Sequence, residues 1–442
     1  MMTAAFAAIL LASPAGAAPS DNAKPFADIA NLEINSPDGI YAKGDTVRIS
    51  ADFTESFPEG IYTILALDGQ EAARDTFRNV QKGRSVIFEQ AFDKPQAAML
   101  YVRPIGQDEC EQLVGFAVAP DDFRPGFQKP ADFKRFWRRQ IRRMRRTPMR
   151  PMLQEIPLDG EDAGRFVCYH VTVQCGGSRP CRGYMAMPRN AARKSLPIYI
   201  YTHSAGLSRK GNRSSVAKVL EMAGRGGGAI AMDINAHGLP DDMPQEYYDS
   251  LDEGRLNRYS RRMLTDHESF YFRTMYLRLV RGLDFLCTLG EWDGKRVLVQ
   301  GASQGGAQAA ALAGLDKRVK AAVLTVPSMF DIGSALSGRS DHWKFPVETN
   351  PLDNPHVVEV APYYDSAFMI EGSDAELFVE IGLIDGACTT DCVYAGINLH
   401  RGRHQVWTYP FKPHGDPSAH YVPDWQERIV SRRQEFIDHY LQ

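Results

Sequence analysis

The chain has 442 residues, 44% of them hydrophobic and 24% charged, with a formal net charge of -3 at neutral pH. That length can bury a large core in more than one domain, and the near-neutral balance gives no global case for nucleic acid as a partner. After the N-terminus no run approaches the roughly 20 apolar residues of a membrane span, and Gly and Pro are ordinary in number, which argues against membrane-spanning and disordered classes.

Residues 1–17 read as a signal peptide: an apolar stretch from Ala4 to Ala12, the breaker Pro14, and Ala15-Gly16-Ala17 as a small-residue cleavage site, though without a positive leading segment. The expected location is secreted, periplasmic or cell-envelope associated; the plainer alternative is a short buried terminal helix. Seven cysteines are too few for a disulfide scaffold. In an oxidising compartment Cys175 and Cys181 are the pair to test, because the Gly176–Pro180 segment can turn the chain back. Cys388 and Cys392 read as small hydrophobes on one helical face.

From residue 36 to 120, apolar runs at Thr46–Ile49, Ile61–Leu65, Ser85–Phe88, Ala98–Val102 and Leu113–Phe116 alternate with turn residues, the pattern of a small antiparallel β-sandwich. Residues 121–150 form a connector and a basic amphipathic helix. Its Phe133, Phe136, Trp137, Ile141 and Met144 recur at helical spacing among eight Lys or Arg residues, with Asp132 as its N-cap. The face made by those cations reads as solvated.

Residues 151–442 change rhythm. Strands are predicted at Val167–Val173, Leu196–Tyr201, Ala229–Met232, Arg296–Gln300, Val319–Thr325, Glu376–Ile384 and Gln405–Tyr409, with helices at Ser215–Met222, Phe270–Cys287 and Ala307–Leu315. That alternation predicts an α/β fold with a doubly wound sheet covered by helices. Two polar segments, Gly238–His267 and Asp331–Pro362, interrupt it and read as loops or small subdomains above the sheet, where enzymes of this architecture contact substrate.

Gly301-Ala302-Ser303-Gln304-Gly305 matches the G-x-S-x-G nucleophile elbow, with a strand before it and an Ala-rich helix after it. In that context Ser303 is the candidate nucleophile, and the Gln304 backbone N–H supplies half of an oxyanion hole. A serine hydroxyl needs a base, and the base needs an acid to hold its tautomer. Asp385, at the end of a late strand, and His414, in the loop after the last one, complete the order Ser, Asp, His of an α/β hydrolase. Asp365 or Asp391 could replace the acid, and His420 the base. Strand-end placement favours Asp385 and His414.

Beyond the pentapeptide, the chain carries Ala131-Asp132-Phe133-Lys134-Arg135-Phe136-Trp137, Gly301-Ala302-Ser303-Gln304-Gly305-Gly306, Tyr363-Tyr364-Asp365-Ser366, Gly382-Leu383-Ile384-Asp385 with Cys388, and Tyr409-Pro410 ahead of His414. Over roughly residues 130 to 435 these resemble carbohydrate esterase family seven, the acetyl xylan esterase and cephalosporin C deacetylase family. The resemblance implies an α/β-hydrolase fold and removal of acetyl groups from xylan, xylo-oligosaccharides or small acetylated compounds, without metal or organic cofactor. Where that family has His-Gly-Tyr after the corresponding strand, this chain has His203-Ser204-Ala205-Gly206, so Ala205 N–H becomes the second oxyanion donor without the tyrosine side chain. Asp233-Ile234-Asn235-Ala236-His237-Gly238 resembles the family's Asp-containing turn, with Asp233 or His237 organising the substrate mouth or simply positioning a loop.

The competing readings are a serine peptidase or broader acyl esterase with the same triad, and a noncatalytic glycan-binding protein using exposed aromatics of the sandwich. The partner expected on the main reading is an acetylated carbohydrate or small acetyl ester; self-association into a homo-oligomer stays open.

Overall fold

The computed structural model describes residues 30–54, 56–66, 71–104, 112–177, 179–260, 265–339 and 354–442; the expected signal peptide lies outside them. The chain divides into two compact units. The first comprises Met1–Asp122, Gly382–Asp391 and Thr408–Val422, and the second Phe123–Ile381, Cys392–Trp407 and Pro423–Gln442.

The first unit holds eight strands among the described residues: β1 (Ala30–Ile34), β2 (Ile40–Tyr41), β3 (Thr46–Phe53), β4 (Phe57–Ala66), β5 (Glu71–Val80), β6 (Gly83–Ala91), β7 (Gln96–Pro104) and β8 (Gln112–Val118). They form a three-stranded sheet in the order β1-β3-β6 and a five-stranded sheet in the order β2-β8-β7-β4-β5. The pairing is antiparallel except for the short β2, which runs parallel to β8. Period-two alternation explains the core: Val47 and Ile49 of β3 point inward while Arg48 between them points out and pairs with Glu89. Leu32, Val47, Ile49 and Phe53 from one sheet pack with Leu100, Val102, Val114 and Phe116 from the other. Each such side chain, fully buried, stabilises the fold by about 1.5–3 kcal/mol before entropy is counted.

Two later segments of the chain are built into this unit. Gly115 approaches Leu383 so closely that a Cβ would sit 2.1 Å from the Leu383 carbonyl oxygen, and Gly115 N–H donates to Pro410 O at 2.8 Å. Thr408 Oγ1 donates to Asp38 O at 2.7 Å, Tyr421 Oη donates to Leu32 O at 3.2 Å, and Gln112 Nε2 donates to Tyr421 Oη at 3.0 Å.

The second unit is built on β9 (Met152–Glu155), β10 (Phe166–Val173), β11 (Cys181–Pro188), β12 (Leu196–Thr202), β13 (Ile230–Ile234), β14 (Trp292–Ala302), β15 (Ala321–Thr325), β16 (Glu376–Gly382) and β17 (His404–Tyr409). They give one nine-stranded sheet in the order β17-β16-β15-β14-β12-β13-β11-β10-β9. The central pairs from β13 through β12, β14 and β15 to β16 are parallel, whereas β9, β10 and β11 are antiparallel to their neighbours. Buried on both faces, the parallel strands read as continuous apolar runs such as Leu196–Ile200. This is the α/β-hydrolase sheet that the sequence predicts, with the additional antiparallel sheets at its N-terminal side in sequence.

Covering helices are α1 (Phe133–Arg145), α2 (Val216–Ala223), α3 (Gln245–Glu253), α4 (Tyr271–Leu286), α5 (Gln304–Leu315) and α6 (Thr390–Ile397). On α1 the five apolar positions are all buried, Trp137 Nε1 donates to Tyr363 O at 2.9 Å, and the basic face makes ion pairs with Glu268 and Asp284. Ser215 caps α2, accepting Lys218 N–H at 3.2 Å. Asp132, by contrast, does not cap α1 with its side chain: the carboxylate accepts the Tyr363 hydroxyl and faces Arg135. Nor are Cys175 and Cys181 bridged; both stay buried thiols. The hairpin register places Val173, not Cys175, opposite Cys181, and burial pushes the Cys181 thiol up to about 12. Among the described residues, no helix is long and apolar enough to cross a membrane.

Candidate active site

Ser303 sits in the second unit, between β14 and α5, at φ 54° and ψ -122°. A non-glycine residue rarely adopts that left-handed φ, and the surroundings hold it there. Ser303 N–H donates to Thr325 O at 3.0 Å, while its carbonyl accepts Ala307 N–H at 3.1 Å and Ser328 N–H at 3.0 Å. The flanking glycines answer close approach. A Cβ on Gly305 would lie 2.3 Å from Thr202 O, and one on Gly301 would lie 2.4 Å from the Gly305 carbonyl. Ser303 therefore stands at the tip of a sharp strand-to-helix turn. Gln304 is the first residue of α5, so its N–H has no acceptor within the helix and lies at the positive end of the helix dipole.

The loop after β12 is laced to this elbow. Thr202 Oγ1 donates to Gly305 O at 2.8 Å and lies 3.0 Å from Gln300 O, Ser204 Oγ donates to Ala302 O at 3.0 Å, and Gln308 Nε2 donates to His203 O at 2.9 Å. Ala205 is thus the next residue after a pinned serine. His203 Nε2 makes a short bond with Asp233 Oδ1, and Asp233 Oδ2 accepts Ser215 N–H at 2.9 Å. These bonds tie the loop after β12 to the end of β13 and to the start of α2. His237 is 5% exposed, its Nδ1 lies 2.9 Å from Tyr271 Oη, and burial, aided by the Arg278 and Arg179 charges, lowers it to about 3. It is neutral at any ordinary pH.

Tyr259 was not singled out by the sequence. Its hydroxyl donates to Gln304 Oε1 at 2.6 Å, and its ring meets His237 edge to face at 4.6 Å. The only signal was the tyrosine-rich composition of its segment.

Asp385 and His414 lie in the first unit, on the two later segments built into it. His414 Nδ1 is 2.9 Å from Asp385 Oδ2, and Asp385 Oδ1 accepts the Ala387 and Cys388 N–H groups, each at 2.8 Å. The carboxylate is wholly buried, and three donors fix its orientation. Asp385, Cys388 and His414 present donor atoms within 4.8 Å of one another, the set a soft divalent cation would use. Since both carboxylate oxygens are already engaged, the geometry is that of an acid orienting an imidazole. The competing residues are used elsewhere: Asp365 caps the Ser366–Ile370 helix and accepts the Asp331, Ile332 and Ala367 N–H groups, Asp391 lies in the first turn of α6, and His420 is exposed with its ring against Tyr421.

Residues 120–429 match the model of the acetyl xylan esterase (AXE1) family. The acetyl esterase Axe7A of Xylanibacter ruminicola is 26% identical over 388 residues, covering 86% of this chain and 85% of that protein. Among solved structures, an acetyl xylan esterase from a Paenibacillus species superposes with a TM-score of 0.58 at 24% identity, covering 77% of this chain and 100% of the other. Acetyl xylan esterase 1 from a Thermoanaerobacterium species gives 0.58 at 18% identity, covering 73% and 98%. The fold is shared with both. Because the family match spans well over half of the sequence and contains the elbow, the late acid strand and the final histidine loop, the chain belongs to the acetyl xylan esterase family and is an esterase on the α/β-hydrolase fold.

Proposed function

We propose that this esterase removes O-acetyl groups from xylan, xylo-oligosaccharides or related acetylated carbohydrates through an acetyl-enzyme on Ser303. The observation that carries the reading is the left-handed Ser303 turn at the centre of the family match. Asp385 accepts the Nδ1 proton of His414 and so leaves Nε2 as the basic nitrogen. His414 takes the Ser303 hydroxyl proton as Oγ attacks the acetyl carbonyl, and the Gln304 and Ala205 N–H groups receive the oxyanion. Collapse expels the sugar alkoxide, which takes the proton from His414. Water then repeats the sequence on the acetyl-enzyme, releasing acetate. The N-terminal apolar stretch supports action outside the cytoplasm, on polymer that a cell does not import intact.

The test is rapid-quench mass spectrometry with an acetylated xylo-oligosaccharide. One acetyl group should appear on the Ser303 peptide during turnover, and Ser303→Ala should fold, as judged by near-ultraviolet circular dichroism, yet neither acylate nor release acetate. Wild-type turnover in that variant overturns the reading; so does cleavage of peptides by a wild-type enzyme that leaves acetyl esters untouched.

A further inference from the structure

The segment between Gly238 and His267 carries a tyrosine that the mechanism above does not use. Tyr259 is 6% exposed and Gln304 2% exposed, so their 2.6 Å hydrogen bond is made away from water. The Gly206 backbone also bears on the Tyr259 hydroxyl, partly offsetting the rise that burial causes. One hydroxyl therefore donates to the side chain of the residue after Ser303 and feels the backbone of the residue after Ala205. These are the two places from which the oxyanion donors come.

We infer that Tyr259 is a positioning residue for the oxyanion hole, acting through the Gln304 carboxamide; the inference rests on the Ser303 reading. The physical need is specific. Gln304 carries, on one residue, the N–H assigned to the oxyanion and a carboxamide oxygen able to compete for that same N–H. Among the described residues its Nε2 has no hydrogen-bond partner, so the Tyr259 bond is what fixes the amide group. Donation from Tyr259 holds Oε1 away from the N–H and keeps a negative dipole out of the space where oxyanion charge develops. The backbone side of the hole is already braced, since Gln308 Nε2 donates to His203 O at 2.9 Å and reaches Gln304 O at 3.3 Å. Tyr259 supplies the matching brace on the side-chain side. His237 packs edge to face on its ring, Tyr271 stands 5.0 Å away centroid to centroid, and burial, with the Asp252 charge adding to it, raises its hydroxyl well above the usual phenol range. Over the working range it donates at every pH.

Tyr259→Phe keeps the ring and removes the hydroxyl. The expected result is a fall in kcat of about tenfold, less than removal of an oxyanion donor itself causes, with KM and the pH profile unchanged. A trifluoromethyl ketone that forms a tetrahedral adduct with the serine should lose affinity by the same factor. A merely structural role would lower the melting temperature without moving kcat and ketone affinity together. Gln304→Leu removes the competing oxygen, so Tyr259→Phe should cost little further in that background. Unchanged kcat in Tyr259→Phe, a kcat loss without matching loss of ketone affinity, or full additivity with Gln304→Leu overturns the inference. A wild-type enzyme that neither hydrolyses acetyl esters nor binds the ketone overturns the Ser303 reading instead.

Discussion

Asp385→Asn isolates one proton. In the wild type, Asp385 Oδ1 is held by two backbone N–H groups at 2.8 Å and Oδ2 faces His414 Nδ1 at 2.9 Å. An asparagine of the same shape must keep its carbonyl oxygen on the Ala387 and Cys388 donors, because turning the NH₂ there would set donor against donor. That choice places the NH₂ against His414 Nδ1, which now has to accept. The imidazole proton moves to Nε2, the nitrogen that the proposed mechanism needs as its base, and on that mechanism Ser303 loses its base. Tautomer inversion of this kind lowers kcat by about 10⁴, equivalent to about 5 kcal/mol in the barrier. Stability should change little, since both backbone donors remain paired; Asp385→Ala would instead strand them at about 1–3 kcal/mol each. The assay is the initial rate of acetate release from a soluble acetylated xylo-oligosaccharide, alongside a thermal melt. A folded Asn variant retaining more than about a tenth of wild-type kcat would refute the reasoning.

Replacing His414 by Ala should reduce acetate release by about a hundredfold or more, and replacing the exposed His420 should be mild; a reversal of that ranking in folded variants moves the base to His420. His237 predicts a pH dependence of stability. Its pKa is depressed to about 3 in the folded chain, against about 6.5 when unfolded, so it is neutral in both states above pH 6.5, and on acidification only the unfolded chain takes the proton. Its contribution is present above 6.5 and declines by about 1.4 kcal/mol per pH unit as pH falls towards 3. Urea unfolding of wild type and His237→Gln should therefore show a penalty for the substitution that is about 2 kcal/mol smaller at pH 5 than at pH 7. Equal penalties at the two pH values would remove the assignment.

What was legible in the sequence was what is local. The elbow announces itself in five residues because a strand, a left-handed serine and a helix start must follow one another, and close approach selects glycine at fixed offsets. The parallel strands show as apolar runs because both faces are buried. β11 was missed: Gly183 and Pro188 disrupt its pattern, and its neighbour β13 lies some fifty residues later. Position alone marks Asp132 as a cap, whereas the Tyr363 hydroxyl, supplied from far along the chain, takes its carboxylate. Tyr259 was unreadable for the same reason, since its meaning depends on Gln304.

The N-terminal sheets lie outside the family match, which begins at residue 120, and so invite treatment as a detachable cassette. Their packing says otherwise. The segments bearing Asp385 and His414 are anchored to Asp38, Leu32, Gln112 and Gly115. A gene trimmed to residues 120–429 would still encode every proposed reacting group, yet it would discard the masonry into which two of them are set.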